Sequence, residues 1–349
     1  MLACSSPEHR LGAVAQGFPF GLGRCCAALR HVLVLAVVSL ALPCVAVDLR
    51  CDDAAATRLV RVSANVWRVP AARGDADESN GGLTAQLVLV RDGTRVWLIG
   101  SGPTPAFGAT LACAVRRETG HDVTDVVNTR ASPELAMGNI AFLGARVWAL
   151  PDVIAAMQVR CVQCQERLKA RIGAAGASLQ PDRIDVPSRP VGAVGAVAAS
   201  AGRVGGTLGP FAWRALERAP GERVLVLRHR RERIVIAQGL LWAGDVPDLR
   251  ETHSVTLLAS LRALRTDARG ARVLGEQGDV SDARAITQHI AYIDALRQAV
   301  LPHLIAGEVQ GASGTAVALP AFDGLPSYGA RHPLNVQRVW RELEPTIFR

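Results

Sequence analysis

The side chains of this 349-residue chain that could do chemistry are few and awkwardly spaced for it. Beyond residue 47 the histidines are His121, His229, His253, His289, His303 and His332. No two stand four apart or one residue apart, the spacings that turn two imidazoles toward one metal ion. Each reads singly as a surface or capping residue, with His253 and His332 the two that could approach a site around Asp245. Cys161-Val162-Gln163-Cys164 has the spacing of half a zinc site, of a redox pair or of a short disulfide, but no second Cys or His pair and no thioredoxin-like surroundings accompany it. A nucleophile elbow, a P-loop and a dinucleotide fingerprint are all missing from the sequence, and the glycines from Gly192 to Gly206 are too irregular to cradle phosphate.

These residues must be positioned by a globular fold, because 49% hydrophobic and 20% charged residues exclude a disordered chain. A formal charge of +8 would ordinarily raise nucleic acid as a partner. Here the basic residues are nearly all arginine, with Lys169 the sole lysine, and they are scattered among acids, so no nucleic-acid face is expected. The densest group, Arg228 to Arg233, lies between two apolar stretches and reads as a solvated hairpin tip.

Ahead of the globular part, Arg24, Arg30 and His31 precede an apolar run, Val32–Val47. As a helix it would reach about 24 Å, short of a bilayer's ~30 Å hydrocarbon core, and small residues for cleavage follow at Cys44-Val45-Ala46. Residues 1–47 therefore read as a signal peptide region, cleaved near Ala46 or Val47, which places the protein in the periplasm or outside the cell. An uncleaved leader would be its one membrane contact. The exported part then holds Cys51, Cys113, Cys161 and Cys164, an even number of disulfide candidates with three connectivities. The pairing expected is Cys51–Cys113 with Cys161–Cys164.

Hydrophobic patterning supplies the elements. Leu59–Val69 reads as a strand, and the apolar runs 83–90 and 95–99 flank Asp92-Gly93 as a hairpin. A helix at about 104–119, a strand at 123–127, a short helix at 134–142, a strand at 146–150 and a long helix after Pro151 follow. Residues 191–209 read as a loose loop. Short strands at 211–216, 224–227, 234–237 and 240–243 come next, then a helix carrying Leu257, Leu261 and Leu264, a strand at 272–274, and an amphipathic helix through Ile286, Ile290, Ile293, Leu296 and Val300. Two halves of strands followed by helices, with no polar linker between them, predict one domain over 48–349: an α/β protein built as a four-layer α/β/β/α sandwich.

That order, with Val66-Trp67-Arg68-Val69, Asn80-Gly81-Gly82, Leu98-Ile99-Gly100-Ser101-Gly102, Val127-Asn128-Thr129, Gly138-Asn139-Ile140-Ala141-Phe142, Ala243-Gly244-Asp245 and Tyr292, resembles the metallo-β-lactamase superfamily over nearly all of the chain after the leader. Cys161-x-x-Cys164 followed by Glu166-Arg167-Leu168, and the tail from His332 to Glu344, look like the periplasmic quinoprotein relay system zinc metallohydrolases. The resemblance implies zinc held by a Thr-His-x-His-x-Asp-His loop, a later His-Thr-Pro-Gly, a Gly-Asp and a Gly-His-Gly. Here the loop reads Thr129-Arg130-Ala131-Ser132-Pro133-Glu134-Leu135, the second segment Arg218-Ala219-Pro220-Gly221, and the last Gly275-Glu276-Gln277-Gly278. Arg130, Ser132, Leu135, Arg218 and Gln277 stand where the resemblance puts histidines, Glu134 stands for an aspartate, and Asp245 is unchanged. Gly100 stands where the family has an aspartate behind the ligands.

Arginine stays charged and cannot ligate a cation, leucine offers no donor atom, and neutral serine and glutamine oxygens suit zinc poorly. Arg130 is expected beside Asp245 or Glu134, with Ser132 and Gln277 hydrogen-bonding one another. The expected protein is an exported pseudoenzyme of this fold without a cofactor, in a binding or accessory role toward an unknown small molecule or periplasmic protein. The alternatives are a metallohydrolase with zinc rebuilt on Asp245, Glu134 and a displaced histidine, and thiol redox work at Cys161 and Cys164.

Overall fold

The computed structural model describes residues 51, 57–192, 197–199, 203–308 and 317–347. The leader and cleavage site expected from the sequence lie outside them. In the first half the chain forms β1 (Val60–Ser63), β2 (Val66–Val69), β3 (Leu87–Asp92), β4 (Arg95–Ile99), α1 (Pro105–Thr119), β5 (Asp125–Val127), α2 (Pro133–Ala136), β6 (Arg146–Ala149), α3 (Pro151–Ile172) and β7 (Arg189–Pro190). These strands make one sheet in chain order. Tight turns link β1 to β2 and β3 to β4, and β1 through β4 pair antiparallel. From β4 to β7 the pairing is parallel because helical crossovers carry the chain back.

The second half contributes β8 (Val197–Ala199), β9 (Arg203–Leu208), β10 (Phe211–Ala219), β11 (Glu222–His229), β12 (Ile234–Ile236), β13 (Trp242–Ala243), α4 (Ser254–Asp267), β14 (Arg272–Leu274), β15 (Gln277–Gly278), α5 (Ala283–Ile305) and α6 (Tyr328–Ile347). The second sheet runs β14-β12-β11-β10-β9-β8, and β13 pairs with β15 as a separate parallel ladder.

Period-two alternation sorts the side chains into layers. On β4, Val96 and Leu98 face outward onto Leu111 and Val115 of α1, while Trp97 and Ile99 face inward. There they join Phe211, Leu225, Leu227, Ile234 and Ile236 of the opposing sheet. On β11, Val224 and Val226 face the other way, onto Leu257 of α4, Ile293 of α5 and Trp340 of α6. The order helix, sheet, sheet, helix is the four-layer sandwich, and each such side chain fully buried contributes roughly 1.5–3 kcal/mol. Trp97 meets Phe211 edge-on at 5.7 Å. The close approach of its indole to the β9–β10 turn requires Gly209, where a Cβ would stand 2.1 Å from the ring.

Several elements depart from the sequence reading. The strand expected at 59–69 is a hairpin turning at Ala64-Asn65. The loop expected at 191–209 contains β8 and β9; Gly205 and Gly206 of β9 pair as backbone with β10, and β8 pairs with β9. The helix expected at 134–142 is one turn, α2, followed by a 3-10 turn at Asn139–Ala141. Gly138 separates them against Ser101, whose carbonyl oxygen would lie 2.2 Å from any Cβ there.

Cys51 and Cys113 are joined, tying the chain before β1 to α1. The expected Cys161–Cys164 bond is not made, and both thiols are free. They lie on uninterrupted α3, where Cys161 is buried in the central core and Cys164 turns toward the surface. Closing the bond would unwind the turn they share.

Candidate functional site

The loops that follow β5 and β13 open on the same side as the β10–β11 turn and the β14–β15 segment, and between them lies a cleft of about 980 Å3. A buried polar network fixes the first of these loops. Asn128 Nδ2 donates to the Leu135 carbonyl at 3.1 Å, and Asn139 Nδ2 donates to Asn128 Oδ1 at 2.7 Å. Ser101 Oγ donates to Asn139 Oδ1 at 2.7 Å, and Thr129 Oγ1 donates to Gln238 Oε1 at 2.6 Å. Leaving any of these groups unpaired in the interior would cost about 1–3 kcal/mol, so the loop is held in one conformation.

Arg130 reaches across the cleft floor and ion-pairs Glu276 through Nη2. The other oxygen of Glu276 accepts from the Gly239 N–H at 2.7 Å. Gly239 lets the arginine pass, since a Cβ there would lie 2.8 Å from Arg130 Cδ. Burial works against the Arg130 charge, but the Glu276 carboxylate, helped by Glu134 and Glu251, raises its pKa above the ordinary value. Arg218 lies near it and is 8% exposed. Its Nη2 donates to the Glu251 carbonyl at 3.0 Å and to Glu251 Oε2 at 3.1 Å. Burial, with the charge of Arg130, lowers the Arg218 pKa.

Asp245 is 1% exposed and already fully engaged. Its Oδ1 accepts from Val246 N at 2.7 Å and Ser327 N at 2.9 Å, and its Oδ2 accepts from Ser327 Oγ at 2.6 Å. Arg73 and Arg331 stand 3.5 and 3.6 Å from Oδ2. Arg331 also donates to Gln277 Oε1 at 2.7 Å, while Gln277 Nε2 donates to the carbonyls of Gly74 and Thr84 at 3.0 and 2.8 Å. At the rim Arg250 holds both Asp75 oxygens, at 2.8 and 2.5 Å, and keeps that carboxyl below the usual carboxylate range.

Several expected contacts are replaced by others. Arg130 pairs with Glu276 and with neither Asp245 nor Glu134 as an ion pair. Ser132 donates to Glu134 Oε2 at 2.5 Å, leaving no bond to Gln277, whose amide is used on both sides by backbone and Arg331. Leu135 is fully buried and fills the space above Gly100. Neither histidine considered for a rebuilt site lines the cleft. His253 precedes α4, with its N–H on the Arg218 carbonyl at 2.8 Å. His332 bonds Tyr292 Oη at 2.9 Å and the Val317 carbonyl at 2.7 Å, stacked on Tyr328.

The sequence reading missed Glu276, which stands beside Gln277 in a segment already singled out, and Arg331, which precedes His332. Both were legible as residue types. Their partners lie 146 and 54 residues away, and spacing cannot reveal that.

The donor set does not fit zinc. Among the described residues no group of three or more His, Cys, Asp or Glu could hold a metal ion. Asp245 already accepts three hydrogen bonds and does not line the cleft, and a guanidinium stands on the cleft floor.

No protein-family model matches the sequence, and no curated protein matches it. Solved structures do. A metallo-beta-lactamase from Hirschia baltica superimposes with a TM-score of 0.52 at 12% identity, over 68% of this chain and 96% of that one. One from Pontibacter korlensis gives 0.51 at 11% identity, over 68% and 98%. One from Erythrobacter litoralis, with beta mercaptoethanol in its active site, gives 0.50 at 14% identity, over 68% and 95%. At these identities the likeness establishes the metallo-β-lactamase fold and does not transfer an activity.

Proposed function

We propose that this metallo-β-lactamase-fold protein has lost zinc hydrolysis and acts as an exported binding or accessory protein, in the setting of quinoprotein-dependent oxidation that its resemblance suggests. One observation carries the reading: the cleft floor holds Arg130 on Glu276, at the position the resemblance gives to a zinc-binding histidine. A divalent cation on that floor would find a guanidinium, which cannot ligate it, and a carboxylate whose two oxygens are already committed to Arg130 and the Gly239 N–H. A zinc site rebuilt on Glu134 and Asp245 is disfavoured, because the contacts already made by Asp245 would have to be broken first. The two free thiols at the cleft wall keep a redox reading open to test by thiol titration.

Metal analysis of protein purified without chelator tests the main reading. The expected content is below about 0.2 zinc per chain, with no turnover of β-lactams or thioesters above background. Stoichiometric zinc overturns it. Export is tested by the intact mass of periplasmic protein, whose N-terminus should fall between Ala46 and Cys51.

A further inference from the structure

We propose that the cleft is a binding site for a small oxyanion, a carboxylate or phosphate carried on a compact molecule, with Arg130 and Arg218 as its floor; this rests on the non-metallic reading above. Two guanidiniums share the floor, and each is tied along one edge only. Nη2 of Arg130 is held by Glu276, and Nη2 of Arg218 by Glu251. Nε of both is buried without a hydrogen-bond partner, and Nη1 of neither bonds any described residue. The buried Nε atoms mark both guanidiniums as under-satisfied by the protein, and the Nη1 groups, which are not among the buried unpartnered atoms, are the donors a cleft ligand would reach. A carboxylate or phosphate oxygen satisfies such N–H groups best.

Charge supports the same occupant. Glu276 is buried beside Arg130 and offsets it, but the Glu251 side chain is 76% exposed, so its charge is screened by water and only weakly offsets the buried Arg218. The wall adds more positive charge. Arg160, Arg167 and Arg171 lie seven and four residues apart on α3 and all line the cleft. Arg167 and Arg171 form no ion pair among the described residues. A ligand with a second anionic group would meet them once its first sits on the floor. Other carboxylates line the cleft, but Asp75, Asp152, Glu222, Asp248, Glu251 and Glu276 are each ion-paired to an arginine. Glu134, held by Ser132, forms no ion pair among the described residues, and it should weaken anion binding.

Calorimetric titration of the purified chain with citrate and, separately, with inorganic phosphate tests the site at about 0.15 M salt. The expected result is saturable binding near one ligand per chain for at least one of the two probes, which also tells carboxylate from phosphate recognition. Arg218→Gln should weaken it tenfold or more, and Glu134→Gln should tighten it. Arg284→Gln, at an arginine 93% exposed in its side chain and outside the cleft, should leave it unchanged. Should Arg218→Gln fail to fold, Ala131→Glu, at an exposed residue of the cleft mouth, should weaken binding without touching the core. Equal loss in Arg284→Gln would mean diffuse attraction to a basic protein and would overturn the site. So would no binding of either probe by zinc-free protein, with the non-catalytic reading left standing. Stoichiometric zinc would remove that reading itself.

Discussion

Leu135 and Gly100 complement each other in the interior beside the cleft. Leu135 is fully buried against Gly100, where an added Cβ would stand 2.6 Å from Leu135 Cδ2 and 2.8 Å from Leu87 Cδ2, at a φ of +77°. Gly100→Asp should therefore destabilise the fold by about 1–3 kcal/mol through overpacking, before the cost of an unpaired buried carboxylate. Combining it with Leu135→Ala should cost less than the two changes summed, and urea denaturation of the four proteins measures the coupling. Strict additivity would mean the two residues do not share the space. Arg130 and Glu276 give a second test. Arg130→Met leaves a buried carboxylate without its cation and should cost about 3–5 kcal/mol, whereas Arg130→Met with Glu276→Gln should recover much of the loss. Equal stability of the single and double variants would show that the pair is not coupled. The side chains at 130, 132, 135, 218 and 277 could be singled out in the sequence because the segments around them carry the resemblance. Their partners were not, since an ion pair between loops depends on how two sheets stack.

At the scale of elements, β13 is docked on α5 through one imidazole. His289 is fully buried, accepts the Trp242 backbone N–H on Nε2 at 3.0 Å and stacks on the Trp242 indole with 6.3 Å between ring centroids. Burial, which outweighs the nearby Asp245 carboxylate, pushes its pKa down to about 3. The unfolded chain binds this proton below about pH 6.5 and the folded chain does not. Stability from His289 is therefore complete above about pH 6.5 and is lost as pH falls toward 3, at about 1.4 kcal/mol per pH unit. His289→Gln keeps an acceptor for Trp242 and should flatten that acid limb by one proton, as measured by urea unfolding at pH 4, 5 and 6. An unchanged slope would assign the limb to other groups, such as His332, which burial also depresses. Elements with strong alternation or a helical stripe were legible as elements: β4 at its observed bounds, β3 and β11 displaced or shortened by two to four residues, and α5 through its stripe from Ile286 to Val300. The β9 strand was not, because Gly205 and Gly206 pair with β10 through backbone alone and leave no side-chain pattern to read.

Over the whole molecule, covalent and redox order should follow from where Cys51, Cys113, Cys161 and Cys164 sit. Cys51–Cys113 closes a loop of 62 residues, for which chain entropy sets a ceiling of about 4 kcal/mol on the stabilisation. The bond holds the segment before β1 to α1, on the outer face of the first sheet, far in sequence from the helices that cover the second. Its loss should loosen that attachment and lower the urea midpoint of unfolding by an amount equivalent to about 2–4 kcal/mol. Cys161 and Cys164 should stay reduced while the fold persists. Desolvation, with a smaller contribution from Cys164, pushes the Cys161 thiol up to about 11, so at neutral pH it holds roughly a hundredfold less thiolate than an ordinary cysteine. Cys164 is more exposed, lines the cleft, and receives Arg167 Nη2 at 3.4 Å on its sulfur. Alkylation of native protein followed by peptide mapping should thus label Cys164 first, Cys161 far more slowly, and Cys51 and Cys113 only after reductant. Because thiolate supply limits the reaction at Cys161, its labelling should rise about tenfold per pH unit up to pH 9, provided the fold stays intact. Recovery of Cys161 and Cys164 as one linked peptide from unreduced protein would show that α3 opens enough in solution to oxidise the pair, and would return thiol chemistry to the cleft wall.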